Sequence, residues 1–575
     1  MKHRLLIGMA ALLSLVSCGA GTKDSGAGRV QEHTEGLSPD QRLTQPYTAP
    51  VPIHVVLGYR ESEDPLTPKD LTPAKAYAVT AAKEKLNIEL IYDWVVNTDQ
   101  FSAKFGAELA AGNLPDIMLL DPNQFEDLYQ QGGLADLTEV WNAYANEGLT
   151  LISNHDGQLL NAGKRDGKLY GLPMATYNGQ QTSQTYYRMD YLKSVGIEGE
   201  DQLPKSIAEF EALLDKLMQT DFDGDGKTGG PVLPAGNGFY GEGLGDFTPV
   251  FNAYNASATG YIDDGTGRLV FGGTRQEVAD ALRKLNEWYG KGYFAKDFAA
   301  QNVWAASSPI ISGIVAGNYP IVFGSWWIPN WPLNMNIDGQ SNAEWAIGPS
   351  LTADGGKPNV FVDRYPVNNF VAVSKNCKNP EAVLKLINMS LSLNDWSRPG
   401  WEEQATEQEK INKHSYIYTW LPWRVYSPIT LVDNQQFLSR YEREGKFDLA
   451  SMDLSDAPKN DEFNGVLTNY LKWHSGDHSG PVWGWYFSRV ASNGGVAKMY
   501  DLFTSANIHY NEVFVTTPAI VSYSGELGRL YSTSIIQMIM GDQPLSYFDT
   551  LKSQWLNLGG QKILDEVNAW YAGNK

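Results

Sequence analysis

Cysteine is nearly missing from this chain of 575 residues: Cys18 and Cys377 are the only two. That excludes a disulfide scaffold. Positive charge is also short, with 45 Lys and Arg against 66 Asp and Glu and a formal charge of −21. So acidic a surface offers little to a nucleic-acid backbone or to anionic lipid. Long apolar runs are absent as well, so no membrane span is read, and no fixed-period repeat appears. The Gly-x-Ser-x-Gly elbow and the His-Glu-x-x-His motif are both missing. His474 and His478 lie four apart, but Ser475-Gly476 and Ser479-Gly480 argue against a helix and predict solvated loop histidines. What is abundant is aromatic: 17 Trp, 30 Tyr and 21 Phe, and Trp is seldom fully hidden.

The N-terminus reads as an export signal. Met1-Lys2-His3-Arg4 is basic, and residues 5–16 form an apolar run shorter than the roughly 20 residues of a span. The run ends Leu15-Val16-Ser17-Cys18-Gly19, which resembles the lipobox of bacterial lipoproteins, where the Cys is diacylated and the preceding bond cut. The reading is a signal peptide over 1–17, a lipid on Cys18, and an extracytoplasmic place at the cell membrane. A plain signal peptide with an incidental Cys is the alternative. Residues 19–49, rich in Gly, Ser, Thr and charge, read as a tether; a flexible chain of about 30 residues spans on the order of 30 Å. Cys377 is then expected as a small buried hydrophobe.

From residue 50 onward the pattern is globular. Pro52-Ile-His-Val-Val-Leu57 predicts a strand, residues 74–86 a helix, and residues 87–94 a second strand. A helix over 101–111 and a buried strand over 115–121 follow. Strands alternating with helices predict α/β lobes built on parallel sheets with crossovers. The length, at roughly 150 residues per domain, allows two to four such units.

Three segments combine aromatics with turn residues: Phe323-Gly-Ser-Trp326-Trp327-Ile-Pro-Asn-Trp331, Trp420-Leu-Pro-Trp423-Arg424-Val-Tyr426, and the stretch from Trp473 to Phe487 that contains Trp483-Gly-Trp485. Gly and Trp in alternation predict rings presented from loops. Flat rings suit the C–H faces of sugars, and fixed polar groups suit their hydroxyls; packing beneath loops is the alternative for any single Trp. Arg364 beside Tyr365, Arg424 and Arg489 neighbour these segments and suit carboxylates of an acidic sugar, or ordinary salt bridges. Separately, Asp221, Asp223 and Asp225 with Gly226 match the opening of an EF-hand loop, in which the Lys227 carbonyl would be a further Ca²⁺ ligand. Position 12 of that loop is Val232 instead of Glu, so a plain Asp/Gly turn stays open. Gly226-Lys227-Thr228 mimics the end of a P-loop, but Asp221 stands where its first Gly is required.

Gly112-Asn-Leu-Pro-Asp-Ile, Gly167-Lys-Leu-Tyr-Gly-Leu-Pro173, Tyr187-Arg-Met-Asp-Tyr-Leu-Lys-Ser-Val-Gly196 and residues 315–327, in this order, resemble the solute-binding lipoproteins of carbohydrate ABC importers, in particular the large branch with alginate-oligosaccharide-binding members. The C-terminal run from Phe548 to Tyr571 is similar to that branch's usual ending. The resemblance implies a two-lobed periplasmic-binding-protein-like fold of type II, joined by several hinge crossings near 172–176, 361–367 and within 420–445. It implies lobe 1 from 50–174 and again 366–435, with lobe 2 from 175–365 and 436–575. It further implies a monomeric, non-catalytic receptor that hands an oligosaccharide to a permease. Trp326 is the expected stacking ring, with Trp327, Trp483, Trp485, Trp423, Arg424, Tyr365 and Arg364 as further contacts. A secreted glycoside hydrolase, which would also pair aromatics with acids, and a peptide receptor of the same fold are the rival readings.

Overall fold

The computed structural model describes residues 29–30, 34–59, 72–393, 406, 410, 427–458, 460 and 462–574. The first lobe opens on the strand Val51–Tyr59, whose buried Val51, Ile53 and Val55 alternate with half-buried partners as a one-sided strand requires. A helix, Tyr77–Leu86, ends at Asn87 in the left-handed conformation (φ 56°) and feeds the parallel strand Ile88–Asn97. Asp116 N–H donates to His54 O at 2.8 Å and brings the next strand, Ile117–Leu120, alongside. The strand Val367–Val373 pairs antiparallel with Ile117–Leu120 on one side and with Gly171–Ala175 on the other. Ile53, Val55, Leu86, Ile88, Val371 and Leu386 share one apolar core under this sheet. Phe125 stacks on Phe370 at 4.2 Å on its other side. Gly171 must lack a side chain there, since a Cβ would lie 2.7 Å from the Phe125 ring.

The second lobe has its own three-stranded sheet, with Gln184–Arg188 between Ile321–Gly324 and Trp345–Ile347 and both pairings antiparallel. The helix Ile207–Met218 starts in a Ser206/Glu209 capping box, and its apolar Ile207, Phe210, Leu213, Leu214 and Leu217 recur at helical spacing. They pack with Tyr187, Trp288 and Phe323. The C-terminal helices Pro518–Met540 and Tyr547–Trp555 add Ile535, Met538 and Leu551 to the same core. The helices Phe463–His474 and Gly480–Arg489 pack onto this lobe through Trp483 and Phe487 beside Ile328 and Leu333. No described helix is long and apolar enough to cross a membrane.

This is the two-lobed α/β body the sequence predicts, with two corrections. The expected tether of residues 19–49 does not run to its end, because the helix Pro39–Thr44 packs on the first lobe with Leu43 and Tyr47 buried in its core. Among the described strands, parallel pairing is confined to Val51–Tyr59 with Ile88–Asn97 and to Asn359–Asp363 with Asn507–Asn511. The three-stranded sheets are antiparallel, because the middle strand of each is the one arriving from the other lobe. The chain leaves the first sheet after Ala175, enters the second at Gln184, and comes back through Asn359–Asp363 to Val367. A strand arriving across a connection is not bound by the crossover rule that keeps βαβ units parallel.

One buried ion anchors the second lobe. The Arg188 side chain is fully enclosed, donates to both carboxylate oxygens of Asp190 at 2.8 and 2.6 Å and to Asn336 and Gln340, and lies 3.9 Å from the Tyr191 ring centre. A buried charge with this many partners is satisfied.

Candidate functional site

Where the connecting segments meet the second lobe there is a cavity of about 670 Å³, within the usual range for small-molecule sites. One wall is the loop of residues 236–246, Gly-Asn-Gly-Phe-Tyr-Gly-Glu-Gly-Leu-Gly-Asp. Gly241, Gly243 and Gly245 hold φ of 76°, 78° and 65°, a region open to Gly at little cost. The loop is pinned from below. Asp246, 1 % exposed, accepts from the N–H groups of Gly243 and Thr248 at 2.9 Å each, and Thr248 Oγ1 accepts from Gly241 N–H. Burial pushes the Asp246 carboxyl up from its ordinary range, against the pull of the Thr248 and Gly243 donors.

The opposite wall is the hinge. Gln181 and Asp363 bond reciprocally, Gln181 Nε2 to Asp363 Oδ2 and Asp363 N to Gln181 Oε1, both at 2.7 Å. Asn511 Nδ2 donates to Asp363 Oδ1 at 2.7 Å, and Asn178 Nδ2 donates to the Asp363 and Arg364 carbonyls. The outgoing connection, the returning strand and the strand Asn507–Asn511 are thus tied at one polar knot facing the cavity. Ser183, Ser257, Thr259 and Ser325 add hydroxyls to the lining.

The strand Ile321–Gly324 ends at this cavity, and the next residues part ways. Trp327 lines it; Trp326 does not. The Trp327 ring centre lies 6.0 Å from Trp304 and 6.5 Å from Trp331, and the latter two are 6.2 Å apart with planes 20° from parallel. Trp304 and Trp331 are 48 % and 37 % exposed. Glu242, on the glycine loop, fixes the rim by accepting from Trp304 Nε1 at 2.7 Å. Three indoles so arranged form an open apolar shelf beside a polar cavity, able to take the flat face of a ring while hydroxyls turn inward.

Trp326, the expected stacking ring, is instead 9 % exposed among Leu431, Val432, Val496 and Met499. Trp483 and Trp485 are not on a loop, as Gly and Trp in alternation suggest. They lie on the helix Gly480–Arg489, started by Pro481 in its first turn. Gly484 is there for close approach: a Cβ would meet the Pro329 carbonyl oxygen at 2.7 Å. Trp483, 9 % exposed, stacks on Phe487, and Trp485 is half-buried beneath the Arg489 guanidinium at 4.1 Å. Arg489 also bonds Glu462 Oε1 at 2.7 Å. Arg364 donates to both Glu512 oxygens and lies 3.8 Å from the Tyr510 ring centre. Tyr365 is half-buried and packs edge-on against Phe514. Trp423, Arg424 and Cys18 lie outside the described residues. Of the two histidines one departs from expectation: His474 closes the helix Phe463–His474, meets Glu442 at 2.9 Å and stacks on Phe447, while His478 is an exposed loop residue, as read from the sequence, with its ring against Trp473. Sequence reading missed the glycine loop and Trp304. Five Gly within ten residues was the available signal for the loop; Trp304 has none.

The acidic loop lies away from this cavity. Single oxygens of Asp221, Asp223 and Asp225 come within 4.8 Å of one another at exposed positions. Asp221 and Asp223 accept from the Gly226 and Asp225 N–H groups, and Gly224 and Gly226 are left-handed. Lys227 Nζ bonds Asp225 Oδ2 at 2.9 Å and holds that carboxyl below its usual range. Val232, at the position of the missing Glu, is fully buried in the core and donates its N–H to Tyr293 O. The residues fit a hard cation by donor type, as a partial set of three carboxylates from which Lys227 must swing aside.

Residues 68–392 match the family model described as bacterial extracellular solute-binding protein. Lipoprotein LipO of Bacillus subtilis (strain 168) is 25% identical over 255 residues, 43% of this chain and 46% of LipO. The polygalacturonan/rhamnogalacturonan-binding protein YtcQ of the same organism is 25% identical over 232 residues, 39% of this chain and 43% of YtcQ. The chain thus spans less than half the length of these curated relatives. Among solved structures, the alginate-binding protein AlgQ2 superposes over 92% of this chain and 99% of its own at a TM-score of 0.56 and 14% identity, a likeness of fold.

Proposed function

From a chain that belongs to the bacterial extracellular solute-binding proteins, we propose a lipid-anchored, non-catalytic receptor. It captures an oligosaccharide in the cavity beside Trp327 and delivers it to the permease of an ABC importer. The observation that carries this is the Trp304–Trp327–Trp331 shelf at the edge of a cavity lined by hydroxyls and amides. A sugar ring lies on the shelf and its hydroxyls bond Ser, Thr, Gln and Asn groups. The lobes then close about the polar knot of Gln181, Asp363 and Asn511. The acids near the cavity already have partners: Asp246 on backbone N–H groups, Asp363 on Gln181 and Asn511, Glu242 on Trp304. That supports binding over hydrolysis, which needs two carboxyls flanking the scissile bond.

The names of YtcQ and AlgQ2 speak of polysaccharide and alginate binding, and that of LipO of a lipoprotein. These support the sugar, the anchor on Cys18 and an extracytoplasmic place; the receptor is taken to act as a monomer. Asp221, Asp223, Asp225 and the Lys227 carbonyl would hold a Ca²⁺ that stiffens the loop and takes no part in ligand contact. Isothermal titration of the mature protein against a glycan panel tests the reading. Saturable binding without turnover is expected. Release of shorter products, or binding of peptides and no glycan, contradicts it.

A further inference from the structure

The proposed sugar site carries charge of one sign. Glu242, Asp246 and Asp363 line the cavity, and none of its described lining residues is Lys, Arg or His. The nearby arginines among the described residues are committed elsewhere. Arg364, adjoining Asp363, gives two guanidinium nitrogens to Glu512 and lies on the Tyr510 ring. Arg489 bonds Glu462 and is held over the rings of Trp326 (5.1 Å) and Trp485 (4.1 Å). To turn either toward an acidic ligand would strand a carboxylate that it now neutralises.

A carboxylate has about four lone-pair sites. The two Asp363 oxygens each accept one bond, from Asn511 and Gln181, and Glu242 Oε2 accepts one from Trp304. Capacity therefore remains at Glu242 and Asp363, and only for donors. The hydroxyls of a neutral sugar are donors. The ionised carboxylate of a uronate is not, and it would enter beside like charges with no Lys, Arg or His among the described lining residues to meet it.

Resting on the sugar-binding reading above, we propose that the ligand is an uncharged oligosaccharide and that the acidic cavity discriminates against uronates. The test titrates the mature protein with neutral gluco-, xylo-, galacto-, manno- and fructo-oligosaccharides, with oligogalacturonate and oligoalginate, and with glucosamine oligomers. The best neutral binder that carries a primary hydroxyl at C6 is then compared with the same sugar oxidised there to the uronate. The account expects a neutral ligand whose affinity is nearly independent of salt, and at least a hundredfold loss on oxidation. Glu242→Gln should narrow that ratio. Equal or tighter binding of a uronate or of a glucosamine oligomer overturns the inference and leaves the sugar-binding reading standing. Binding of no glycan at all overturns that reading, and this inference with it.

Discussion

Trp326 and Trp327 are neighbours in sequence and face two different regions, with Trp327 half-buried at the boundary between them. Trp327 joins Trp304 and Trp331 on an open shelf beside a polar cavity. Trp326 joins Leu431, Val496 and Met499 in a closed cluster, with Arg489 laid over it and over Trp485. Trp occurs in both regions, so its presence does not mark a ligand surface. What separates them is what lies opposite: glycine loop, hydroxyls and carboxylates on one side, helices on the other.

The sharpest way to break this contrast is to truncate the packed ring. Trp326→Ala should lower folding stability by about 3–5 kcal/mol, as removal of a core Trp typically does. Denaturant unfolding measures this, and a nearly unchanged midpoint would place Trp326 on the ligand surface after all. Truncating the presented ring should act on binding. Trp327→Ala is expected to weaken the glycan by about 2 kcal/mol, some thirtyfold in Kd, with a smaller loss of apo stability than Trp326→Ala, since Trp327 is only half-buried.

Gly484→Ala probes why the second Trp pair is packed. A methyl 2.7 Å from the Pro329 carbonyl must push the helix Gly480–Arg489 off residues 329–330. A cost of about 1 kcal/mol or more in stability is expected, and none would mean that the helix does not press there. The smallest effect should come from the acidic loop. Chelation should lower the melting temperature of calcium-loaded protein by a few degrees and leave glycan choice alone. Elemental analysis that finds no calcium after purification with the ion would remove that assignment.

Much of the frame is legible in the sequence because it rests on local pattern. The alternation in residues 51–57 and the apolar spacing of residues 207–217 each name one element and one buried face. The site is legible only in part, because its logic is tertiary. Residues 323–327 mark the right strand end, but which of two adjacent indoles faces the cavity depends on helices more than 100 positions later. Gly484 reads as a loop residue, yet its reason is a carbonyl 155 positions earlier. Trp304 stands alone between Asn302 and Ser307, and only folding brings it to Glu242 and Trp331. The antiparallel sheets are equally invisible locally, since each central strand is delivered from the other lobe.

The most direct test of the central claim is a crystal structure of the mature protein with the tightest glycan from the panel. The account predicts a sugar ring lying face-on within about 4 Å of the Trp327 indole, its hydroxyls turned toward Asp363, Gln181 and the glycine loop, and Trp326 untouched. A glycan seated against Trp326, or bound away from the cavity of residues 240–262, would contradict it.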